Sequence, residues 1–232
     1  MIEPVDICIT GGTGYMGQRL VPLLLARGHR VRVLARRSSL GRVSGGAVPV
    51  VGDALDAESV TAAVRPGDTL IHLVGTPHPN PTKVKEFEQI DLASIRATVI
   101  AAKRVGISHL VYVSVAQPAP LMRAYLAVRA MGEAIIKQTG LTSTILRPWY
   151  VIGPGHWWPM VLMPIYKVAE CFDSTREGAE RLGLITIEQM VNALVQAAEH
   201  PPLDGRIRVM DVPAIRIAGK HIRVASVVKA PL

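Results

Sequence analysis

The chain has 232 residues, 49% of them apolar, which is room for one large α/β domain with a sizeable core. Its 26 Lys and Arg against 18 Asp and Glu leave a net charge of +8, a field that attracts phosphate-bearing partners, either a nucleic acid or a phosphorylated small molecule. Two cysteines, Cys8 and Cys171, are too few for a disulfide framework; both sit among apolar residues and read as buried thiols of a reducing, cytoplasmic compartment.

Along the first two thirds of the chain, short β-branched runs alternate with longer helical patterns. VDICIT (5–10), RVRVLAR (30–36), VPVVGD (48–53), TLIHLVG (69–75), HLVYVSV (109–115) and TSTILRP (142–148) read as strands. Helices are expected near 15–27, 56–64, 84–105 and 122–139, with Pro22 inside the first, where it should kink or restart it. Mostly apolar strands alternating with helices predict a doubly wound parallel sheet covered on both faces. After residue 148 the texture changes to an irregular, apolar stretch holding all three tryptophans. LGLITIEQMVNALVQAAEHP then predicts a short strand running into an amphipathic helix, and GRIRVMDVPAIRIAG a further strand with a turn or short helix. The expected organisation is one domain over 1–232, with a small C-terminal substrate lobe contributed by about 149–180 and 203–232. The start, MIEPVDICIT, lacks the basic segment and long apolar run of a signal peptide. The longest stretch without Asp, Glu, Lys or Arg, Pro148 to Tyr166, is broken by four prolines and two glycines, so no transmembrane segment is expected.

The first strand runs directly into GGTGYMGQRL, and Gly11, Gly14 and Gly17 make G-x-x-G-x-x-G. A glycine loop between a strand and a helix suits a dinucleotide: the first glycine turns tightly, the second lets backbone approach a pyrophosphate, and the third lets helix and strand pack closely. The helix N-terminus then faces the phosphates. From Ile7 to Gly52 there is no acidic residue, while Arg19, Arg27, Arg30, Arg32, Arg36, Arg37 and Arg42 all fall there. The second strand ends in Arg36-Arg37-Ser38-Ser39, without the acid that would hold a ribose 2′-hydroxyl. Two guanidiniums and two hydroxyls suit a 2′-phosphate, which favours NADP and leaves NAD possible; the other reading is one arginine stacked on the adenine. Asp53 is placed to reach the adenine edge, or to cap the helix that begins near Asp56. The second basic group, Arg206, Arg208, Arg216, Lys220, Arg223 and Lys229, has no recognition motif beside it, and no nucleic acid partner is expected.

On TGGTGYMG (10–17), GD (52–53), IHLVG (71–75), AAKRVGISHLVYVS (101–114), Tyr125 with Glu133, and LRPWYVIGPG (146–155), the chain resembles the short-chain dehydrogenase/reductase superfamily in its extended and atypical branches, which include sugar-nucleotide epimerases and NmrA-like proteins. The resemblance implies a Rossmann fold. It implies cofactor contacts at Gly11, Thr13, Gly14, Tyr15, Met16 and Gly17, at Asp53 and Ala54, at Leu73, Val74 and Gly75, and at Pro148, Tyr150 and Val151 beside the nicotinamide. It also implies a tyrosine acid or base, Tyr125, on a helix where Arg129 and Glu133 follow at intervals of four. The family's lysine four residues after that tyrosine is Arg129 here, and its serine near the end of the fifth strand is represented by Ser114, one place early. With these three as the catalytic set, the implied activity is NADP-dependent oxidation or reduction of a carbonyl or quinone-like small molecule. The alternative is a non-catalytic redox sensor or accessory subunit, oligomeric or docked on a larger complex. Without that fold, Tyr125, Arg129 and Glu133 would read as an exposed helix face with an Arg–Glu pair.

Asp91, where extended members often carry asparagine, reads as a solvent-facing helix residue. His72 reads as a satisfied core histidine, His78 and His156 as loop residues, and no spacing matches a metal site. Trp149, Tyr150, Trp157 and Trp158, with Met160, Leu162 and Met163, form either an apolar wall for a flat substrate or the packing of the small lobe.

Overall fold

The computed structural model describes residues 3–119, 121–154, 182–203 and 205–221. Seven parallel strands form one sheet in the order β3-β2-β1-β4-β5-β6-β9: β1 Asp6–Thr10, β2 Arg30–Ala35, β3 Val48–Val51, β4 Thr69–His72, β5 His109–Val113, β6 Ser143–Leu146 and β9 Ile207–Met210. Chain order reverses direction between β1 and β4, the switch point at which a doubly wound sheet opens a crevice at its carboxyl ends. The central strands are buried on both faces, which is why they read as continuous apolar runs rather than alternating ones.

Two cores result. On one face α1 (Gly17–Ala26), α5 (Ile187–Glu199) and α6 (Val212–His221) cover Ile7, Ile9, Ile71, Val111 and Leu146. On the other, α2 (Ala57–Ala63), α3 (Ala93–Val105) and α4 (Arg123–Thr139) cover Cys8, Leu70, Leu110, Tyr112 and Ile145. α3 is preceded by a π-helical turn, Phe87–Leu92. Among the described residues no helix is long and apolar enough to cross a membrane.

The segment expected in the C-terminal lobe divides differently. Ile207–Met210 pairs with β6 as the outermost strand of the main sheet, and the expected turn or short helix is the ten-residue α6. β7 (Tyr150–Ile152) pairs in parallel with β8 (Leu184–Thr186) as a separate two-stranded sheet, while 155–181, with Trp157, Trp158, Met160, Leu162, Met163, His156 and Cys171, lies outside the described residues. Pro22 sits within α1 on an exposed position. Gln18, whose carbonyl loses its N–H partner to that proline, is exposed as well, so water can replace the bond. On the edge strand β3, Pro49 removes one backbone donor from a strand whose Val48 and Val51 are exposed, which blunts pairing with another chain.

Three arginines of the basic first third are paired with carboxylates in the fold. Arg30 pairs with Asp6, Arg32 with the buried Asp68, and Arg27 makes a two-pronged contact with Glu199 at 2.5 and 2.8 Å. Glu199 also meets His29 Nε2 at 3.0 Å, and His29 Nδ1 accepts from the Val5 N–H, so one carboxylate ties the end of α5 to the start of β2. Burial alone raises the Glu199 pKa, but the Arg27 and His29 contacts outweigh it and hold the carboxyl below its ordinary value. A depressed folded-state pKa contributes stability above the unfolded value that is lost as pH falls through the folded one. Glu199→Gln should therefore destabilise the protein by about 2 kcal/mol at pH 7. Denaturant melts should find that difference shrinking below the ordinary glutamate pKa.

Candidate functional site

The loop from β1 to α1 is built by close backbone approach. Gly11 has φ +80°, and a Cβ there would lie 2.8 Å from the Leu73 carbonyl carbon, because the loop runs against the chain leaving β4. The Leu73 N–H donates to Thr10 O at 2.9 Å, which fixes that approach. Gly12, which the three-glycine reading passed over, is equally constrained: a Cβ on it would press on Val33 Cγ1 at 2.7 Å, and a Cβ on Gly17 would collide with the Gly12 backbone. The doublet GG was the available signal. Gly14 is exposed at the crest and donates to Gly11 O at 3.0 Å. Thr13, Tyr15 and Met16 are half-buried; the Arg19 guanidinium lies 4.2 Å over the Tyr15 ring, and the Tyr15 hydroxyl packs against Gly153.

α2 is capped by the Asp56 side chain and α5 by a Thr186–Gln189 capping box, whereas α1 has no side-chain cap and no acid in its first turn. That leaves its positive end available for an anion, and a small, glycine-lined turn in front of it fits a pyrophosphate.

Arg36 and Arg37 are exposed at the end of β2, and among the described residues neither side chain has a hydrogen-bond or ion-pair partner; the Arg36 carbonyl accepts from the Ser39 N–H at 2.7 Å. Ser38 is exposed too, but Ser39 is buried, its hydroxyl accepting from Arg42 Nη2 at 3.1 Å, so only one of the two expected hydroxyls is exposed. Asp53 is exposed and accepts from the Leu55 N–H at 3.0 Å; the cap of α2 belongs to Asp56, which corrects the capping alternative. Ala54, Leu73, Val74, Gly75, Tyr150 and Val151 are half-buried along the carboxyl ends of the strands, and Pro148 is buried, its carbonyl accepting from Ala116. The Trp149 and Tyr150 rings meet edge to face at 5.2 Å.

The stretch Tyr125–Arg129–Glu133 is not an exposed face. Arg129 is 5% exposed and Glu133 is 2% exposed, and they do not pair with each other. Arg129 donates from Nε to the Tyr125 hydroxyl at 3.2 Å, and from Nη1 to Val113 O at 3.0 Å and the Tyr112 hydroxyl at 3.4 Å. Its Nη2 lies 2.6 Å from Asp91 Oδ1. Asp91 is buried rather than solvent-facing, and its other oxygen accepts from the Thr76 N–H at 3.0 Å and hydroxyl at 2.6 Å. Its spacing to Ile95, Thr98 and Ala102 puts it on the buried stripe of α3, a signal the sequence did carry. The guanidinium also fills the space beside Gly75, where any Cβ would collide with Nη2.

Glu133 gathers a second network: the Ser114 hydroxyl donates to it at 2.7 Å, Gln117 Nε2 at 2.8 Å, and Arg147 from Nε and Nη2 at 2.9 and 2.5 Å. The serine expected to orient a substrate carbonyl thus commits its proton to Glu133. Tyr125 itself is half-buried, its ring 5.1 Å from that of Phe87. His72 is a satisfied core histidine, contacting Thr10 and Thr98 at 2.9 Å, and burial pushes its pKa down to about 3.

A family model described as NAD(P)H-binding matches residues 11–153, from the glycine loop through β7. The chain belongs to the NAD(P)H-binding family. Among the family's relatives, it is 25% identical over 208 residues to a ceramide reductase of Caulobacter vibrioides, covering 89% of this chain and 64% of the relative. It is 27% identical over 167 residues to a 4-hydroxy-2-methyl-3-oxo-4-farnesyl-3,4-dihydroquinoline-1-oxide ketoreductase of Stigmatella aurantiaca, covering 62% of this chain and 50% of the relative. The chain therefore spans half to two thirds of these relatives' lengths. Its fold matches the crystal structure of a short-chain dehydrogenase/reductase superfamily protein from Agrobacterium tumefaciens with bound NAD (TM-score 0.64, 18% identity, 91% of this chain and 81% of that one). The likeness shows a Rossmann fold, a seven-stranded parallel sheet flanked by helices.

The glycine loop should tolerate no side chain at Gly11, Gly12 or Gly17. Gly12→Ala should weaken NAD(P)H binding at least tenfold in a fluorescence titration, with a lowered melting temperature, because the Val33 side chain must give way to admit the methyl group.

Proposed function

We propose that the protein is an NADP-dependent oxidoreductase acting on a carbonyl or quinone-like group of a small apolar molecule. The observation that carries the reading is the Tyr125 hydroxyl, half-buried near the carboxyl end of β5 and engaged by Arg129 Nε at 3.2 Å. When bound, a reduced nicotinamide supplies a hydride to carbon. Tyr125 would give its phenolic proton to the oxygen, and the Arg129 guanidinium would stabilise the tyrosine's charged form while the proton is away. Gly11 to Gly17 and the open end of α1 would hold the pyrophosphate, and Gly75, Pro148 and Val151 would flank the ring. Ser114 acts in this reading through the Glu133 network, as framework for the end of β5. The relatives' names, a ceramide reductase and a quinoline-oxide ketoreductase, support a lipophilic carbonyl substrate. A cytoplasmic setting is supported by Cys8, a free thiol whose pKa burial pushes up to about 12.

The preference for NADP is supported by Arg36 and Arg37, which stand exposed and unpaired where a 2′-phosphate would lie. Arg36→Ala should raise the dissociation constant for NADPH about tenfold or more and change that for NADH less than threefold; equal losses for both would overturn the preference.

A second reading is favoured by Arg129 and Ser114, both committed to partners inside the protein: a cofactor-binding sensor or accessory subunit without turnover. Tyr125→Phe separates the two. In an oxidoreductase it should lower kcat at least a hundredfold on a responsive carbonyl or quinone while leaving NADPH affinity nearly unchanged. Tight NADPH binding with no turnover across a broad carbonyl and quinone panel would establish the sensor.

A further inference from the structure

α1 and α5 cover the same face of the sheet, and between their outer surfaces lies a groove of about 290 Å³. Its walls are apolar: Pro22, Leu23 and Ala26 come from α1, Ile187 and Val191 from α5. Pro22 and Ala26 are exposed there, and Leu23 is half-buried. Neither the glycine loop nor the tyrosine site uses this surface. Single apolar side chains on a surface are ordinary, but a contiguous apolar cleft gains free energy when something covers it. Glu188, which is exposed, is the one carboxylate among the described residues that line the groove. The one cation there, Arg19, is turned toward the glycine loop, donating from Nη1 to Tyr15 O at 2.8 Å and lying over the Tyr15 ring.

We propose that this groove is the docking site of residues 222–232 of the same chain, which follow α6 and lie outside the described residues. α6 already brings the chain to the groove's margin. A Cβ on Gly219 would lie 2.8 Å from Gln189 Cα, so α6 crosses α5 there in backbone contact. Asn192, which lines the groove, donates from Nδ2 to Gly219 O at 3.1 Å. The sequence that follows suits the cleft. IRVASVVKAPL holds seven apolar residues in eleven and no acid, and its Arg223 and Lys229 complement Glu188. The buried positions of α6, Val212, Ile215 and Ala218, continue at helical spacing into Ile222 and Ala225, so the apolar stripe does not stop at His221. Reach is sufficient: such a segment spans about 16 Å as helix and up to about 36 Å extended, while Arg19 to Ala26 covers about 10 Å of α1. A tethered segment also has an effective concentration on the order of millimolar, so it can hold a narrow cleft, whereas a separate protein partner needs roughly 1,200–2,000 Å² of interface. Docked there, the segment straps α6 across α5 to α1, the helix that the glycine loop opens.

The direct test is NMR on the full chain with labelled methyl groups. Methyls of Val224, Val227 and Val228 should show nuclear Overhauser contacts to those of Leu23, Ile187 or Val191; their absence would overturn the proposal. Contacts found only between differently labelled chains in a mixed sample would mean that a second copy fills the groove, which overturns it as well. So would contacts from Leu23 and Val191 to a copurified apolar small molecule instead of to the segment. An independent arm follows trypsin cleavage after Arg223 and Lys229 by mass spectrometry. Ala26→Arg sets a long cation in the groove at an exposed position and keeps a good helix former there. Cleavage at both bonds should be at least tenfold faster in Ala26→Arg than in the unaltered protein, and within twofold of it in Ala26→Ser. Equal rates in Ala26→Arg and the unaltered protein would overturn the docking. The NMR arm needs no variant, so it decides the matter even where Ala26→Arg fails to fold, and neither arm depends on turnover or on cofactor choice.

Discussion

The architecture depends on how closely three backbone segments meet at the carboxyl ends of β1 and β4. Gly11 lies against the Leu73 carbonyl, Gly12 against Val33, and Gly17 against Gly12, so that a methyl group at any of these points would force β1, β2, β4 and α1 apart. This contact sets the height at which α1 begins over the sheet, and α1 starts without a side-chain cap. It also fixes the path of 73–76, and through Thr76 it reaches the carboxylate that pairs with Arg129. The phosphate loop and the tyrosine site are therefore mechanically connected through the short segment that follows β4.

Around that segment the protein buries charge in two separate networks rather than one. Asp91–Arg129 serves the tyrosine side, and Ser114–Gln117–Glu133–Arg147 ties the end of β5 to α4 and the end of β6. Burying ions costs desolvation that their attraction offsets only when geometry is good and the remaining donors are satisfied. The Glu133 network meets that condition by spreading its charge over several hydrogen-bond donors, whereas Asp91 Oδ1 meets Arg129 Nη2 at ion-pair distance without an aligned hydrogen bond. Residues 125, 129 and 133 stand one above another on α4, yet only Tyr125 and Arg129 are partners while Glu133 faces a separate network, so helical spacing alone says which side chains are neighbours and not which are partners.

The strands and helices of the Rossmann core were legible in the sequence because apolar runs of four to six residues and longer helical patterns alternate without interruption through β6. The glycine loop was legible for the same reason, its context being a strand before and a helix after. Ile207–Met210 was not placed in the sheet, because register with β6 depends on pairing across 60 residues that no local pattern encodes. Asp91 was read as solvent-facing, although its spacing to Ile95 and Thr98 puts it on the buried stripe; its pairing with Arg129 is a tertiary contact that this spacing does not encode. The engagement of Ser114 and Ser39 by Glu133 and Arg42 likewise depends on tertiary contacts that composition cannot supply.

The basic character of the first third of the chain looks, by count, like a broad positive surface. In the folded protein Arg27, Arg30 and Arg32 are each bound to a carboxylate, Arg19 lies over the Tyr15 ring and Arg42 against the Ser39 hydroxyl, and Arg36 and Arg37 stand exposed side by side at the end of β2. The field that reaches solvent there is thus local rather than diffuse. Counterions at ordinary ionic strength screen exposed charge over about 8 Å and buried pairs much less. Raising salt should accordingly compete with anionic ligands at one corner of the crevice while leaving the internal ion pairs, and the sheet they brace, largely untouched.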